Sequence, residues 1–180
     1  MKKLEEKTIN SEVIYNGRII DLHLEEVELP DGKTSQREVI KHPGAVAILA
    51  ITSENKIVLV RQYRKPLNRE IIEIPAGKLE KGEIPEVCAH RELEEETGYR
   101  SKELTYLQSF YTSPGFADEL IHIFYTDQLE QGEVQLDQDE FVERMEVTLE
   151  EAIELVKTQE IYDAKTAFAI QYLQLKDAGS

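Results

Sequence analysis

The pattern of apolar and polar positions predicts mainly strands through most of the chain and helices towards its end. Ile20, Leu22 and Leu24 alternate with polar residues. Val27 and Leu29 continue in the opposite phase, as a bulge or bend would produce. Pro30-Asp31-Gly32-Lys33 is a turn signal, so residues 34–41 are expected to return as the second strand of a hairpin. His42-Pro43-Gly44 then breaks the chain. Residues 45–52 and 56–63, both rich in Val and Ile, predict another hairpin around Ser53-Glu54-Asn55. Further strands are expected at 71–74, 104–111, 120–126 and 141–147, and helices at 149–158 and 163–175, with Thr148 capping the first. Strands and helices do not alternate regularly and no repeat is present, so the fold class is mixed α/β. The break at 42–44 predicts a small N-terminal β region, 1–42, and a main domain, 43–180.

One segment carries both a helix and a chemistry. Residues 77–99 read GKLEKGEIPEVCAHRELEEETGY. Pro85 suits the first turn of a helix, where its missing N–H is not needed, and Gly98 suits the left-handed residue that ends one. Between them Glu92 and Glu96 lie four apart on one face, with Glu95 on its edge; Val87, Ala89 and Leu93 are candidates for packing. Like charges at this spacing cost an isolated helix about 0.2–0.5 kcal/mol per pair, and a cation would remove that repulsion. A hard ion such as Mg²⁺ takes a few carboxylates together with substrate phosphate. The plain reading of an acidic run in so acidic a chain is a solvated face; the added Gly77, Glu83, Arg91 and Gly98 turn the weight towards a metal site.

Those positions resemble the Nudix box, G-x5-E-x7-R-E-U-x-E-E-x-G-U with U bulky and apolar, and match it throughout, Tyr99 being aromatic where an aliphatic residue is commoner. The resemblance extends to the ADP-ribose pyrophosphatase branch of the Nudix hydrolases. Val60-Arg61-Gln62-Tyr63-Arg64-Lys65-Pro66, Glu73-Ile74-Pro75-Ala76-Gly77, Pro114 sixteen residues after Gly98, 139–143 (DEFVE) and 41–49 all take part. It implies an α/β/α sandwich and metal-dependent hydrolysis of the pyrophosphate of ADP-ribose to AMP and ribose 5-phosphate, with Mg²⁺, or Mn²⁺ in its place. It also implies a homodimer through the N-terminal β region. By the same resemblance the metal ligands are Glu92, Glu96, Glu95 and the Ala76 carbonyl, and Glu140 is the base or a late metal ligand. Asp137, Asp139 and Glu143 remain rivals for the base. Arg91 is expected to orient Glu95 or Glu83, and Glu83 to support rather than ligate. Substrate contacts are expected at Arg37, Arg64, Glu73, Ser113, Gly115 and Phe116. Arg61 contributes to the site or simply pairs with charge on a neighbouring strand. The alternatives are a Nudix hydrolase of another nucleoside diphosphate sugar or nucleotide, and a Nudix protein that senses ADP-ribose without cleaving it.

Composition narrows the partners. A formal net charge of −15 argues against nucleic acid, which needs a basic footprint. Residues 33–69 nevertheless hold eight basic and two acidic residues, a segment suited to a small anionic nucleotide. No apolar run is long enough for a membrane span, and the first residues lack a signal peptide's apolar stretch. The only cysteine is Cys88, so an intrachain disulfide is excluded and a cytoplasmic setting is expected; within the box helix it reads as a small buried residue. His23, His42, His90 and His122 form neither a metal-ligand spacing nor a triad.

Overall fold

The computed structural model describes residues 4–134 and 141–178. The chain divides into two compact units, Met1–Gly44 with Phe110–Ile121, and Ala45–Ser109 with His122–Ser180.

In the first unit, β1 (Lys7–Asn16), β2 (Asp21–Glu28) and β3 (Thr34–Lys41) form an antiparallel sheet in that order. β2 and β3 pair without a break from Asp21↔Lys41 to Glu28↔Thr34, as the Pro30–Lys33 turn predicts. The bulge expected along β2 is not in that strand; the register slip lies in β1, between Thr8 and Asn10 opposite Val27 and Glu26. A bulge there places the extra residue on the outer strand. No hydrophobic pattern marks β1, because every residue of it is exposed and no buried face imposes a period. The chain segment 110–121 joins this unit through Ile40, whose N–H donates to the Phe116 carbonyl (2.8 Å) and whose carbonyl accepts from Asp118 N–H (3.1 Å).

The second unit holds β4 (Ala45–Ala50), β5 (Ile57–Arg64), β6 (Arg69–Glu73), β7 (Ala76–Lys78), α1 (Pro85–Thr97) and β8 (Tyr99–Ser101). It continues with the bases of β9 (Thr105–Tyr111) and β10 (Leu120–Thr126), then β11 (Leu129–Gln131), β12 (Val142–Val147), α2 (Leu149–Lys157) and α3 (Ala164–Ala178). The expected hairpin of 45–63 does not form. β4 lies between β7 and β10 and β5 between β12 and β6; the two runs meet at the turn, through the bridge Ile51↔Ile57 and the Thr52 N–H donating to the Lys56 carbonyl (2.8 Å). The reason is burial: AVAILA is buried at every position, so β4 must be covered on both faces and flanked on both edges by strands from elsewhere. Val46, Ile48 and Ala50 pack on one face with Cys88, Ala89 and Leu93 of α1, and the alternate residues Ala47 and Leu49 are buried as well. Each fully buried Leu or Ile contributes about 1.5–3 kcal/mol by leaving water.

α1 starts at Pro85 and stops at Gly98, which takes φ 69°. α2 starts with a reciprocal capping box, Thr148 accepting from the Glu151 N–H and Glu151 from the Thr148 N–H. Among the described residues no helix is long and apolar enough to cross a membrane.

Candidate active site

A short ribbon, residues 72–77, runs between the two helices that matter most. On one side its Ile74 N–H donates to Thr166 Oγ1 in the first turn of α3 (3.0 Å), and on the other its Ala76 N–H donates to Glu96 Oε2 of α1 (2.9 Å). Pro75 turns its carbonyl to β4, accepting from Ile48 N–H (2.8 Å). Ala76 stands opposite Ala47 in the ladder. In extended backbone a residue's N–H and carbonyl share one edge, so the Ala76 carbonyl faces away from β4, on the Glu96 side.

The next residue is a glycine for a spatial reason. A Cβ on Gly77 would stand 1.8 Å from Glu92 Cδ and 1.9 and 2.2 Å from its two oxygens. The carboxylate of Glu92 thus occupies the volume that any side chain at 77 would fill. Glu92 and Glu96 are 9 and 4% exposed, and carboxylates so buried are costly unless cations or donors compensate them.

Arg91 supplies part of that compensation. Its Nε and Nη2 donate to Glu83 Oε1 and Oε2 (3.1 and 3.0 Å), and its Nη1 to Glu92 Oε1 (2.7 Å) and Glu95 Oε2 (2.9 Å). Glu83 also accepts from the Glu80 N–H (2.9 Å), which closes the turn ahead of α1. The Glu83 bond above all, with Glu92 and Glu95, pushes the Arg91 pKa upward. In return Arg91 holds the Glu83 carboxyl at about 2, against an ordinary 4.5. A carboxyl depressed in this way stabilises the fold above its unfolded pKa and loses that contribution as pH falls through the folded one. Glu83→Gln is therefore expected to destabilise most at neutral pH, with the gap from the parent chain closing as pH falls from 4.5 towards about 2. Urea midpoints from neutral pH down to about pH 3 check this. Cys88, buried beneath the hub, has its thiol pushed up to about 12, chiefly by burial, and so is no nucleophile at neutral pH. Val87, expected to pack, is instead 55% exposed, and Cys88 takes the buried place.

A second ionic group stands behind the ribbon. Arg64 Nε donates to Glu73 Oε2 (2.6 Å), Lys165 Nζ donates to Glu73 Oε1, and Lys165 also meets Asp163 Oδ1 (2.9 Å). Burial alone would lower the Arg64 pKa, but pairing with Glu73 outweighs it and the net shift is upward. Lys165 and Asp163 were missed by sequence reasoning. Asp163 looks like, and also is, a helix cap, its Oδ1 accepting from the Thr166 N–H (3.2 Å); nothing in the local pattern points from it to Glu73.

The second unit therefore brings together Arg64, Glu73, Ala76, Arg91, Glu92, Glu95 and Glu96. Arg37, Ser113, Gly115 and Phe116 belong to the first unit. There Arg37 forks onto Glu6 through Nε (2.9 Å) and Nη2 (2.7 Å), while Nη1 donates to Ser35 Oγ and the Gln36 carbonyl, so its nitrogens are engaged and its flat face is what remains for stacking. Ser113 and Phe116 line a cavity of about 240 Å³ together with Ile20, Ile40, His42 and Glu119. Gly115 is not among its lining residues, and a Cβ there meets nothing within 4 Å. Arg61 lies opposite Glu143 in the β5–β12 ladder and reaches Glu160 Oε2 (3.3 Å), the strand-charge arrangement. Glu140, Asp137 and Asp139 lie outside the described residues.

The donor set suits a hard divalent cation. Glu92, Glu95, Glu96 and the Ala76 carbonyl offer only oxygen, two of the carboxylates are buried, and the Gly77 cradle fixes one of them. Among the described residues no group of three or more His, Cys, Asp or Glu side chains is arranged to hold a metal ion by itself.

Comparison with known proteins bears on the same residues. Residues 41–168 match the NUDIX domain and residues 6–40 the nucleoside diphosphate sugar hydrolase N-terminal domain. The chain belongs to the Nudix family of hydrolases. It is 64% identical to an ADP-ribose pyrophosphatase of Bacillus subtilis, covering 99% of this chain and 97% of that one. It is 58% identical to a methanol dehydrogenase activator of Bacillus methanolicus (98 and 97%), and 38% identical to a GDP-mannose pyrophosphatase of Escherichia coli (76 and 80%). The fold superposes on the crystal structure of an ADP compounds hydrolase with a TM-score of 0.85 at 20% identity, over 99% of this chain and 98% of that one.

Proposed function

We propose that the protein hydrolyses the pyrophosphate of ADP-ribose, giving AMP and ribose 5-phosphate, with a divalent cation held by Glu92, Glu96, Glu95 and the Ala76 carbonyl. The observation that carries the reading is the buried Glu92 and Glu96 pair pinned against residues 76–77, in a chain 64% identical to an ADP-ribose pyrophosphatase. Mg²⁺ is the expected ion and Mn²⁺ its replacement. When bound, it neutralises phosphate charge and makes water a better nucleophile near neutral pH.

The chain's own residues do the positioning. Arg91 fixes the rotamers of Glu92 and Glu95 from one side, and the Ala76 N–H fixes Glu96 from the other. Arg64, anchored by Nε on Glu73, directs a cation at a phosphate. Attack on phosphorus needs little covalent help from protein, so placement and charge carry most of the rate. Glu140 is the proposed base by resemblance alone. We assign Arg37 to the nucleotide by stacking, and Ser113 and Phe116 to the terminal ribose side.

The N-terminal strand favours a homodimer, and the single cysteine, Cys88, a cytoplasmic setting. β1 exposes Ile9, Val13, Ile14 and Tyr15, each more than half accessible, and an exposed apolar edge strand is normally covered. A second copy of the chain is the proposed cover.

The test of substrate class is a panel of ADP-ribose, GDP-mannose and other nucleoside diphosphate sugars compared by kcat/KM. The expected result is the highest value for ADP-ribose. A higher value for another sugar nucleotide would keep the site and replace the substrate. A second reading rests on the methanol dehydrogenase activator, 58% identical over 179 residues: the chain also stimulates a methanol dehydrogenase. Faster methanol oxidation when the protein is added to that enzyme supports this; an unchanged rate removes it.

A further inference from the structure

Lys165 is placed where local rules disfavour it. It is the second residue of α3, beside the positive end of the helix dipole, and its side chain is only 12% exposed. A buried lysine at that end of a helix needs compensation from elsewhere, and it has two carboxylates, Glu73 Oε1 and Asp163 Oδ1. Asp163 is already committed to the cap of the same helix through the Thr166 N–H. Glu73 is 3% exposed and lies on the ribbon whose next residue, Ile74, is bonded to Thr166. The first turn of α3 therefore grips two consecutive ribbon residues, one by charge and one by a hydroxyl.

The consequence falls on Arg64. An arginine beside a carboxylate prefers a two-point fork, two nitrogens on two oxygens. Here only Nε reaches Glu73, on Oε2, while Lys165 donates to Oε1. Among the described residues the Arg64 Nη groups make no hydrogen bond, and the side chain is 37% exposed.

We propose that Lys165 is a positioning residue: by holding Glu73 Oε1 it denies Arg64 the fork and keeps both Arg64 Nη groups available to the substrate's diphosphate. This rests on the hydrolase reading above for the substrate, and on geometry alone for the device. Without Lys165, Glu73 Oε1 would be a buried acceptor with no donor, and the nearest guanidinium would rotate onto it. Arg64 would then be withdrawn from phosphate without any change at the carboxylates of α1.

The test is Lys165→Met, with Glu73→Gln and the double variant beside it, each first checked for a cooperative thermal transition. Kinetics use the nucleoside diphosphate sugar that the parent chain turns over fastest. Lys165→Met is expected to raise KM about tenfold, the loss of one charge-assisted bond to substrate, with kcat within about twofold. A crystal structure of that variant is expected to show Arg64 on both Glu73 oxygens. The double variant is expected to recover much of the lost affinity, since the amide that Glu73→Gln introduces opposes a donor to the Arg64 Nη group and cannot complete the fork. A merely structural lysine predicts the reverse, a double variant at least as impaired as either single one. Unchanged KM, or raised KM with Arg64 still held by Nε alone, overturns the proposal. Absence of turnover in the parent chain would defeat the hydrolase reading instead, and the position of Arg64 in the Lys165→Met crystal would still decide the device.

Discussion

Gly77→Ala is expected to abolish most turnover while leaving the fold intact. The two effects separate because of what the new methyl meets. Its nearest neighbours are the three carboxyl atoms of Glu92, at 1.8–2.2 Å, and these are the far end of a flexible side chain rather than backbone. Gly77 is not among the residues with positive φ, so alanine brings no backbone strain. The methyl is accommodated by swinging the Glu92 carboxylate out of its cradle, away from the position fixed by Arg91 Nη1. A displacement of about 1 Å in such a group costs on the order of 10²-fold in rate. The expectation is a fall in kcat of about 10²–10³-fold with a melting temperature within about 3 °C of the parent. Steady-state kinetics and a thermal melt on the same preparation measure both. Near-normal kcat would mean that Glu92 does not work from this cradle.

The second large effect is expected from Arg91→Ala, and here activity and stability fall together. Arg91 is bonded at once to Glu83, Glu92 and Glu95. Its removal leaves three acids around the vacated space, two of them with side chains only 13 and 12% exposed. Breaking a buried pair by deleting one partner costs about 3–5 kcal/mol. Because the Arg91 side chain is 30% exposed and water can reach it, the lower end, about 3 kcal/mol, is the expected loss. For a chain of this length that corresponds to a melting point lower by roughly 6–12 °C. Turnover falls as well, since Glu92 and Glu95 lose the donor that sets their rotamers. Calorimetry beside the kinetic assay decides this; a stable, inactive variant would confine Arg91 to chemistry, and an unstable, active one would confine it to structure.

How much of this was legible in the sequence depends on whether the signal was local. The start and stop of α1 were, because Pro85 and Gly98 act through their own backbone dihedrals. So was the capping box at Thr148. The packing face of α1 was legible only in part. Ala89 and Leu93 pack as expected, but the buried stripe continues through Cys88, Glu92 and Glu96, each four residues apart, and Val87 falls off it. Polar residues on a buried stripe defeat a pattern that equates burial with apolarity. The pairing of β4 and β5 was not legible, because a short turn between apolar runs looks like a hairpin whether the runs pair with each other or with strands far along the chain. β1 showed no period because nothing in its own unit buries it. In the site, the box acids and Arg91 were visible from spacing, whereas Lys165 lies 92 residues from Glu73 and only the fold brings it there.

The most direct test of the proposed hydrolysis is the appearance of AMP from ADP-ribose, followed by separation of the products, with the pure protein and Mg²⁺ before and after a chelator is added. Stoichiometric AMP and ribose 5-phosphate, cessation on chelation, and recovery when the ion is restored are the expected results. Continued hydrolysis in excess chelator, or cleavage of ADP-ribose elsewhere than its pyrophosphate, would contradict the proposal.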